Sequence, residues 1–534
     1  MNTCAQCQKS FEITSKDLAF YEQMAVPPPK QCPDCRLVRR FMERNPKNLY
    51  YRMCDFTKNY TLSQFHADQP FPVYSPESWW SVNWDALNYG QNFDFDRPFF
   101  DQFLELKNKT PHLALFNTGG TIQNSDFNNC TAYLKDCYLI AESDYCESSY
   151  YSNLLKNCQS VVDCSVCYKD ELCYECVDCT NCYTLLYSQD CQTCKDSYFL
   201  QNCISCSDCI GCINQRQQQY MIFNKKYSRD EYEKFKEQFA LHTKEGVAKL
   251  NKICTEFFLT EPRKNLIAEH NENSSGDHLF NSKNAHHCFD SIDLEDCSYC
   301  AKLTLGVKSS MDYNSWGNKC ELMYQCSSCG DHCYNLKFCA NSQSDMNNCE
   351  YCAECFGCSD CFGCVNLKKE KFCIFNKKYS EAEYHELKTR IIEHMKQTGE
   401  YGEFFPIEIC PYGYNETMAM DSFPLCKEEA TKKGFKWYDP PEQKITDTTD
   451  NIATCPCSKN FKIISQETAF YKKLGIPQPE KCPTCRHENR MKKRQPLKLW
   501  DRECAKCNAA VKSNYKPDCP EIIYCEECYL KEVY

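Results

Sequence analysis

Residues Asn157–Cys212 read NCQSVVDCSVCYKDELCYECVDCTNCYTLLYSQDCQTCKDSYFLQNCISCSDCIGC, and cysteine recurs in them on two periods. The short period is three, as in Cys173, Cys176, Cys179 and Cys182, and again in Cys203, Cys206, Cys209 and Cys212. The long period is 21, since Cys137, Cys158 and Cys179, or Cys182 and Cys203, stand that far apart. A fixed long period marks stacked supersecondary units, so the stretch predicts a right-handed β-helix-like solenoid with one coil per 21 residues. Runs such as Tyr183–Tyr187 supply strands, and the Asp-Cys, Asn-Cys and Gly-Cys steps supply corners. Cysteine suits the narrow interior as a small hydrophobe.

A second cysteine-rich stretch repeats the first at an offset of 152, with Cys203–Asn214 matching Cys355–Asn366 and the FNKKYS at Phe223 matching that at Phe375. Each copy ends in a capping box, Ser228-x-x-Glu231 and Ser380-x-x-Glu383, opening a helix that closes the stack. The fold class expected is mainly β, two such solenoids flanked by small α+β modules.

The 534 residues contain 48 cysteines and carry a net charge of −11. No apolar run spans a bilayer and the first residues lack a secretory pattern, which predicts a cytoplasmic protein. Cysteines in such a chain serve as metal ligands or buried thiols rather than a disulfide framework. The acidic total argues against coating nucleic acid along the whole length.

Both ends carry sparser cysteine pairs. Cys4 and Cys7 are followed by Cys32-Pro33-Asp34-Cys35-Arg36, with a helix opened by Thr14-x-x-Asp17 between them. At a constant offset of 450, Cys7 matches Cys457, Phe11 Phe461, Tyr21 Tyr471, Cys32 Cys482, Cys35 Cys485 and Arg36 Arg486. Cys4 aligns with Thr454, so Cys455 is the nearest candidate for the missing ligand. The copy continues into a second half, where Cys504, Cys507, Cys525 and Cys528 match Cys54, Thr57, Ser75 and Ser78. Paired CxxC motifs across a small element suit tetrahedral Zn²⁺. Three sites follow: Cys4/Cys7/Cys32/Cys35, Cys455/Cys457/Cys482/Cys485 and Cys504/Cys507/Cys525/Cys528, about three zinc ions per chain. The Cys54 half should hold none.

CAQCQKSF followed by DLAFYEQMAVPPPKQCPDCR resembles the zinc-ribbon or treble-clef module of many uncharacterised bacterial proteins. The resemblance covers about 40 residues at each end and implies zinc binding without an assigned activity.

The domains expected are 1–80, an N-terminal zinc module; 81–116, an aromatic-rich segment capping the first solenoid; 117–227, the first solenoid; 228–276, a helical connector; 277–379, the second solenoid; 380–450, helix and linker; and 451–534, a C-terminal double zinc module.

No phosphate-loop, G-x-S-x-G or H-E-x-x-H motif occurs, so the chain reads as a non-enzymatic, macromolecule-binding scaffold. The partner surface expected is basic. Lys30–Arg52 holds seven Lys/Arg against two Asp/Glu, and Lys481–Arg502 eight against two. Arg36, Arg39, Arg40, Arg44, Arg486, Arg490, Lys492, Lys493 and Arg494 are the candidates for RNA or DNA contact. The rival readings are an enzyme using surface carboxylates such as Asp163, Asp170, Asp178 and Asp190, and an iron–sulfur protein. The CxxCxxCxxC runs depart from the ferredoxin spacing, with Tyr183 or Ile213 where proline should stand.

Overall fold

The computed structural model describes residues 1–317, 320–322, 324–327, 330, 337–338, 340, 346–441 and 452–533. Parts of the expected second solenoid and the end of the expected linker, 442–450, lie outside them. The chain divides into two compact units, Met1–Leu115 with Leu266–Asp439, and Phe116–Asn265 with Pro440–Tyr534. Each terminal module therefore shares a unit with the coil stretch farther from it in sequence.

In the unit holding Phe116–Asn265, parallel pairing sets the coil. Cys167 pairs with Cys179, Leu185 with Ser197 and Cys209 with Met221, so one coil takes 12 residues. This corrects the 21-residue coil. Twelve and 21 are both multiples of the three-residue step, so cysteines 21 apart all point inward but stand on adjacent faces rather than one above another. The sequence repeat and the structural pitch are different quantities.

The step of three has a backbone cause. Every third residue from Asn124 to Phe223 has a positive φ between 43° and 61°, and Gly211 is the only glycine among them. Asp, Asn and Gly visit this left-handed region readily, which is why Asp163, Asp178, Asn181 and Asn202 precede inward cysteines. Tyr145, Leu154 and Val166 adopt it as well, at a local cost that the hydrogen-bond ladder offsets. In that ladder Leu139 N–H donates to Asp126 O at 3.1 Å, one coil back, and Tyr138 N–H to Ser149 O at 3.1 Å, one coil ahead.

The residue after each left-handed one points inward, and its N–H faces the core. Serine or cysteine one coil earlier accepts that proton: Ser152 Oγ accepts from Cys164 N–H at 3.0 Å, Ser188 Oγ from Leu200 N–H at 2.9 Å, and Cys164 Sγ from Cys176 N–H at 3.3 Å. The inward thiols also meet carbonyls, Cys176 Sγ reaching Leu185 O at 3.1 Å and Cys158 Sγ reaching Cys167 O at 3.2 Å. Cysteine is thus more than a small hydrophobe here. It fills a narrow core and terminates inward N–H groups that a valine would leave unmet.

In the other unit the coils take 11, 12 or 13 residues: Ala268 pairs with Leu279, Gly276 with Cys288 and Ser359 with Lys371, but Ala301 pairs with Asn314 and Ala340 bridges to Ala353. Both coil stretches end in a short antiparallel turn, Gln219–Ile222 with Lys225–Lys226 and Lys371–Ile374 with Lys377–Lys378. Helices opened by the expected capping boxes follow, Arg229–Gln238 and Glu381–Gln397. Tyr232 packs with Ile210 and Ile222 in the first, and Tyr384 and Ile391 with Phe362 and Ile374 in the second.

The aromatic-rich segment supplies the helix Phe99–Lys109. Its Phe99 ring lies 5.6 Å from Phe362 and 5.2 Å from Phe375. This helix packs on the end of the later coil stretch. No described helix is long and apolar enough to cross a membrane.

Candidate metal centres

Each terminal module builds its first cysteine cluster from a hairpin knuckle and a helix start. The knuckle turns through a left-handed residue, Gln8 in one copy and Ser458 in the other. Cys4 N–H bonds Lys9 O at 2.9 Å, and Cys455 N–H bonds Lys459 O at 2.9 Å. The C-terminal knuckle is therefore one residue shorter, which is why Cys455, and not the aligned Thr454, takes the place of Cys4. The second pair sits where a helix begins: Cys32 is the N-cap of Pro33–Met42 and Cys482 the N-cap of Pro483–Met491, with proline at the first position.

The sulfurs of Cys4/Cys7/Cys32/Cys35, of Cys455/Cys457/Cys482/Cys485 and of Cys504/Cys507/Cys525/Cys528 lie within 4.8 Å of one another in each group. Sulfur–sulfur contacts are 3.7 Å from Cys7 to Cys32, 3.8 Å from Cys457 to Cys482 and 3.8 Å from Cys507 to Cys525. A tetrahedron of sulfurs about 2.3 Å from a central ion has edges of about 3.8 Å. The three groups can therefore hold a metal ion. Among the described residues no three core cysteines come that close together.

Each group contains one thiol poised to ionise. The hydrogen bond from the Cys35 thiol holds Cys32 down at about 5. Burial pushes Cys455 up, but backbone N–H groups of Cys457 and Cys482 outweigh it and leave it at about 6. Cys504, opposed by burial and aided by the N–H groups of Cys525 and Cys507, also lies at about 6. Thiolates, not thiols, are the metal ligands.

The fourth clef keeps one cysteine, Cys54, where the others have four. Cys54 Sγ accepts from Ser75 N–H at 3.3 Å, as Cys504 Sγ accepts from Cys525 N–H at 3.2 Å. Ser75 Oγ accepts from Ser78 N–H at 3.4 Å, as Cys525 Sγ does from Cys528 N–H at 3.4 Å. Hydroxyls thus take over the hydrogen bonds of the sulfurs they replace, and Ser75 Oγ reaches Ser78 Oγ at 3.1 Å.

The basic residues divide sharply. Arg36 Nε lies 2.8 Å and Arg40 Nη1 2.9 Å from the two carboxylate oxygens of Asp312, and all three side chains are buried. The other unit repeats the device: Arg486 and Arg490 bind Asp163, the latter at 2.7 Å, and Arg490 also donates to Ser165 Oγ at 3.3 Å. Arg36 and Arg40, like Arg486 and Arg490, stand four apart and share one helix face. Burial alone would pull the Arg36 and Arg486 guanidiniums down, but Asp312 and Asp163 beside them raise them instead. Arg39 is buried, donates to Gln325 Oε1 at 2.8 Å, and burial lowers it to about 10. Arg494 binds both oxygens of Asp178 at 2.9 Å, and Arg44 is half-buried.

These arginines were the expected phosphate contacts. Arg36, Arg39, Arg40, Arg486, Arg490 and Arg494 instead fasten the modules to the coils. Lys492 and Lys493 remain exposed, with Lys493 at 3.9 Å from Glu175. The sequence offers Asp163 only as a turn residue or a surface carboxylate and does not single out Asp312, because an aspartate at a corner looks like every other one on the coil. The one signal was the Arg-x-x-x-Arg pair after each CPxC.

Asp170 is not at a corner. It points into the core, where Oδ1 accepts from Cys182 N–H at 2.8 Å and burial holds its carboxyl well above the usual carboxylate range. No family model matches the chain, and no curated protein matches it.

Proposed function

We propose that the chain is a zinc-stapled, non-enzymatic scaffold of the cytoplasm, in which two separate right-handed solenoids, each closed by its helix, are held by modules of the zinc-ribbon or treble-clef kind. The observation that carries this reading is the set of three four-cysteine groups with sulfur contacts of 3.7–3.8 Å. Zinc supplies charge neutralisation and cross-linking where thiolates converge. The partner is a polyanionic macromolecule, RNA or DNA. The lysines left free of the aspartate clamps, among them Lys472, Lys473, Lys481 and Lys492, are the groups that meet its phosphates.

Metal analysis and a visible spectrum of protein purified without oxygen test the staples. Three zinc ions per chain and no colour are expected, whereas iron and a brown protein would overturn the reading. Replacing Lys472, Lys473, Lys481 and Lys492 by glutamate should weaken RNA or DNA retention and flatten its salt dependence, and unchanged retention would remove the nucleic-acid partner.

A further inference from the structure

The three cysteine groups differ in what they hold and in how far solvent reaches them. In Cys504/Cys507/Cys525/Cys528 only Cys504 is buried, Cys507 is exposed and the other two are half-exposed. In Cys4/Cys7/Cys32/Cys35 none is exposed. In Cys455/Cys457/Cys482/Cys485 two are buried and Cys457 is exposed, so this group is intermediate. The helices of those two groups are also fastened by the buried Arg–Asp clamps, which need no metal.

The last group fastens something weaker. Cys525 and Cys528 tether the helix Glu526–Val533, too short to persist alone in water. That helix meets the coils through Tyr529, whose hydroxyl accepts from Asn202 Nδ2 at 2.7 Å and donates to Asn214 Oδ1 at 2.9 Å. Lys264 reaches Glu526 at 2.6 Å, and Ile522–Tyr524 pairs with Pro262–Lys264. Its counterpart Pro76–Trp79 is held by the Ser75 and Ser78 hydroxyls and by a fully buried Trp79. Of the two equivalent clefts in the chain, one keeps its helix without metal and the other relies on four sulfurs.

We propose that Cys507 and Cys525 are an oxidation site, and that the group they belong to is a peroxide-sensitive latch on the C-terminal helix. The inference rests on the metal-staple reading. The two thiolates, their sulfurs 3.8 Å apart, give two electrons to one hydrogen peroxide. The peroxide O–O bond breaks, one S–S bond forms, two protons from solvent complete two waters, and the divalent ion leaves. With its ligands gone, the helix loses its tether and Tyr529 leaves Asn202 and Asn214.

The test uses the full chain, isolated with its metal and titrated with hydrogen peroxide. A chromogenic chelator reports metal release, and amide hydrogen exchange is followed at 526–533. One equivalent per chain should leave first while two stay bound, and exchange at 526–533 should rise about tenfold while 76–79 is unchanged. Cys507→Ser should lose the same single equivalent without peroxide, and dithiothreitol with added zinc should reverse the change in the oxidised wild type only. Release of all metals at one peroxide dose, or release without faster exchange at 526–533, overturns the latch and leaves the staples intact. A chain isolated without metal overturns both.

Discussion

Replacing Cys164 asks what a core thiol does. Its sulfur accepts the Cys176 N–H at 3.3 Å and reaches Val162 O at 3.4 Å, and the side chain is fully buried. Cys164→Ala removes one buried heavy atom, about 1 kcal/mol of transfer and packing. It also leaves the Cys176 N–H without an acceptor, a further cost of about 1–3 kcal/mol. The sum is about 2–4 kcal/mol. Cys164→Val refills the space but leaves the N–H unmet, so about 1–3 kcal/mol of the loss remains. Cys164→Ser keeps the acceptor in the geometry that Ser152 and Ser188 already show at 3.0 and 2.9 Å, and should cost about 1 kcal/mol or less. Urea unfolding followed by circular dichroism in reducing, zinc-containing buffer gives the order. Amide exchange at Cys176 localises it, with the slowest exchange in wild type and the serine variant. If alanine or valine is better tolerated than serine, the thiols act by volume and apolarity alone, and the hydrogen-bonding account of the ladder is wrong.

Two further outcomes test the units. Asp163→Ala strands the buried Arg486 and Arg490 charges and should destabilise its unit by about 3–5 kcal/mol, as Asp312→Ala should for the other, read by urea unfolding; a loss below about 1 kcal/mol would show that the clamps are incidental. Asp170 keeps its proton in the folded core above the pH at which the unfolded chain releases it, so its presence costs more stability as pH rises from about 4. Asp170→Ser, which retains an acceptor for Cys182 N–H, should therefore be stabilising at pH 7 and neutral near pH 3.5, the gain growing by up to about 1.4 kcal/mol per pH unit; equal effects at both values in denaturation curves would refute it.

Much of the local chemistry was legible in the residues. Thr14, Ser228 and Ser380 announced their helices through capping boxes, and the paired cysteines announced their clusters through spacing. The coil length was not legible, because a column of small inward residues has the same look at any multiple of three. Nor was the left-handed backbone at Val166 or Leu154, where local preference points elsewhere and only the ladder decides. Arg36 and Arg486 misled for a related reason. A guanidinium meant for a buried carboxylate and one meant for a phosphate are the same residue in the same helix, and the difference lies in a partner roughly 300 positions away. Chain order also hid the pairing of each module with the distant coil stretch.

The 12-residue coil restricts how this chain can change length. Adding one whole rung between Asp163 and the turn at Lys225–Lys226 would leave every outward residue in its own file, merely lengthening the stack by about 4.8 Å. Adding three residues between Asp163 and Asp178 would keep all the cysteines inside yet carry everything downstream a quarter-turn around the axis, parting Asp178 from Arg494 while Asp163 stayed with Arg486. Gains and losses of sequence here come in two currencies: triplets preserve the core, but only dozens preserve the surface. The 13-residue rungs of the other unit are the exceptions that show where a single added residue can be absorbed.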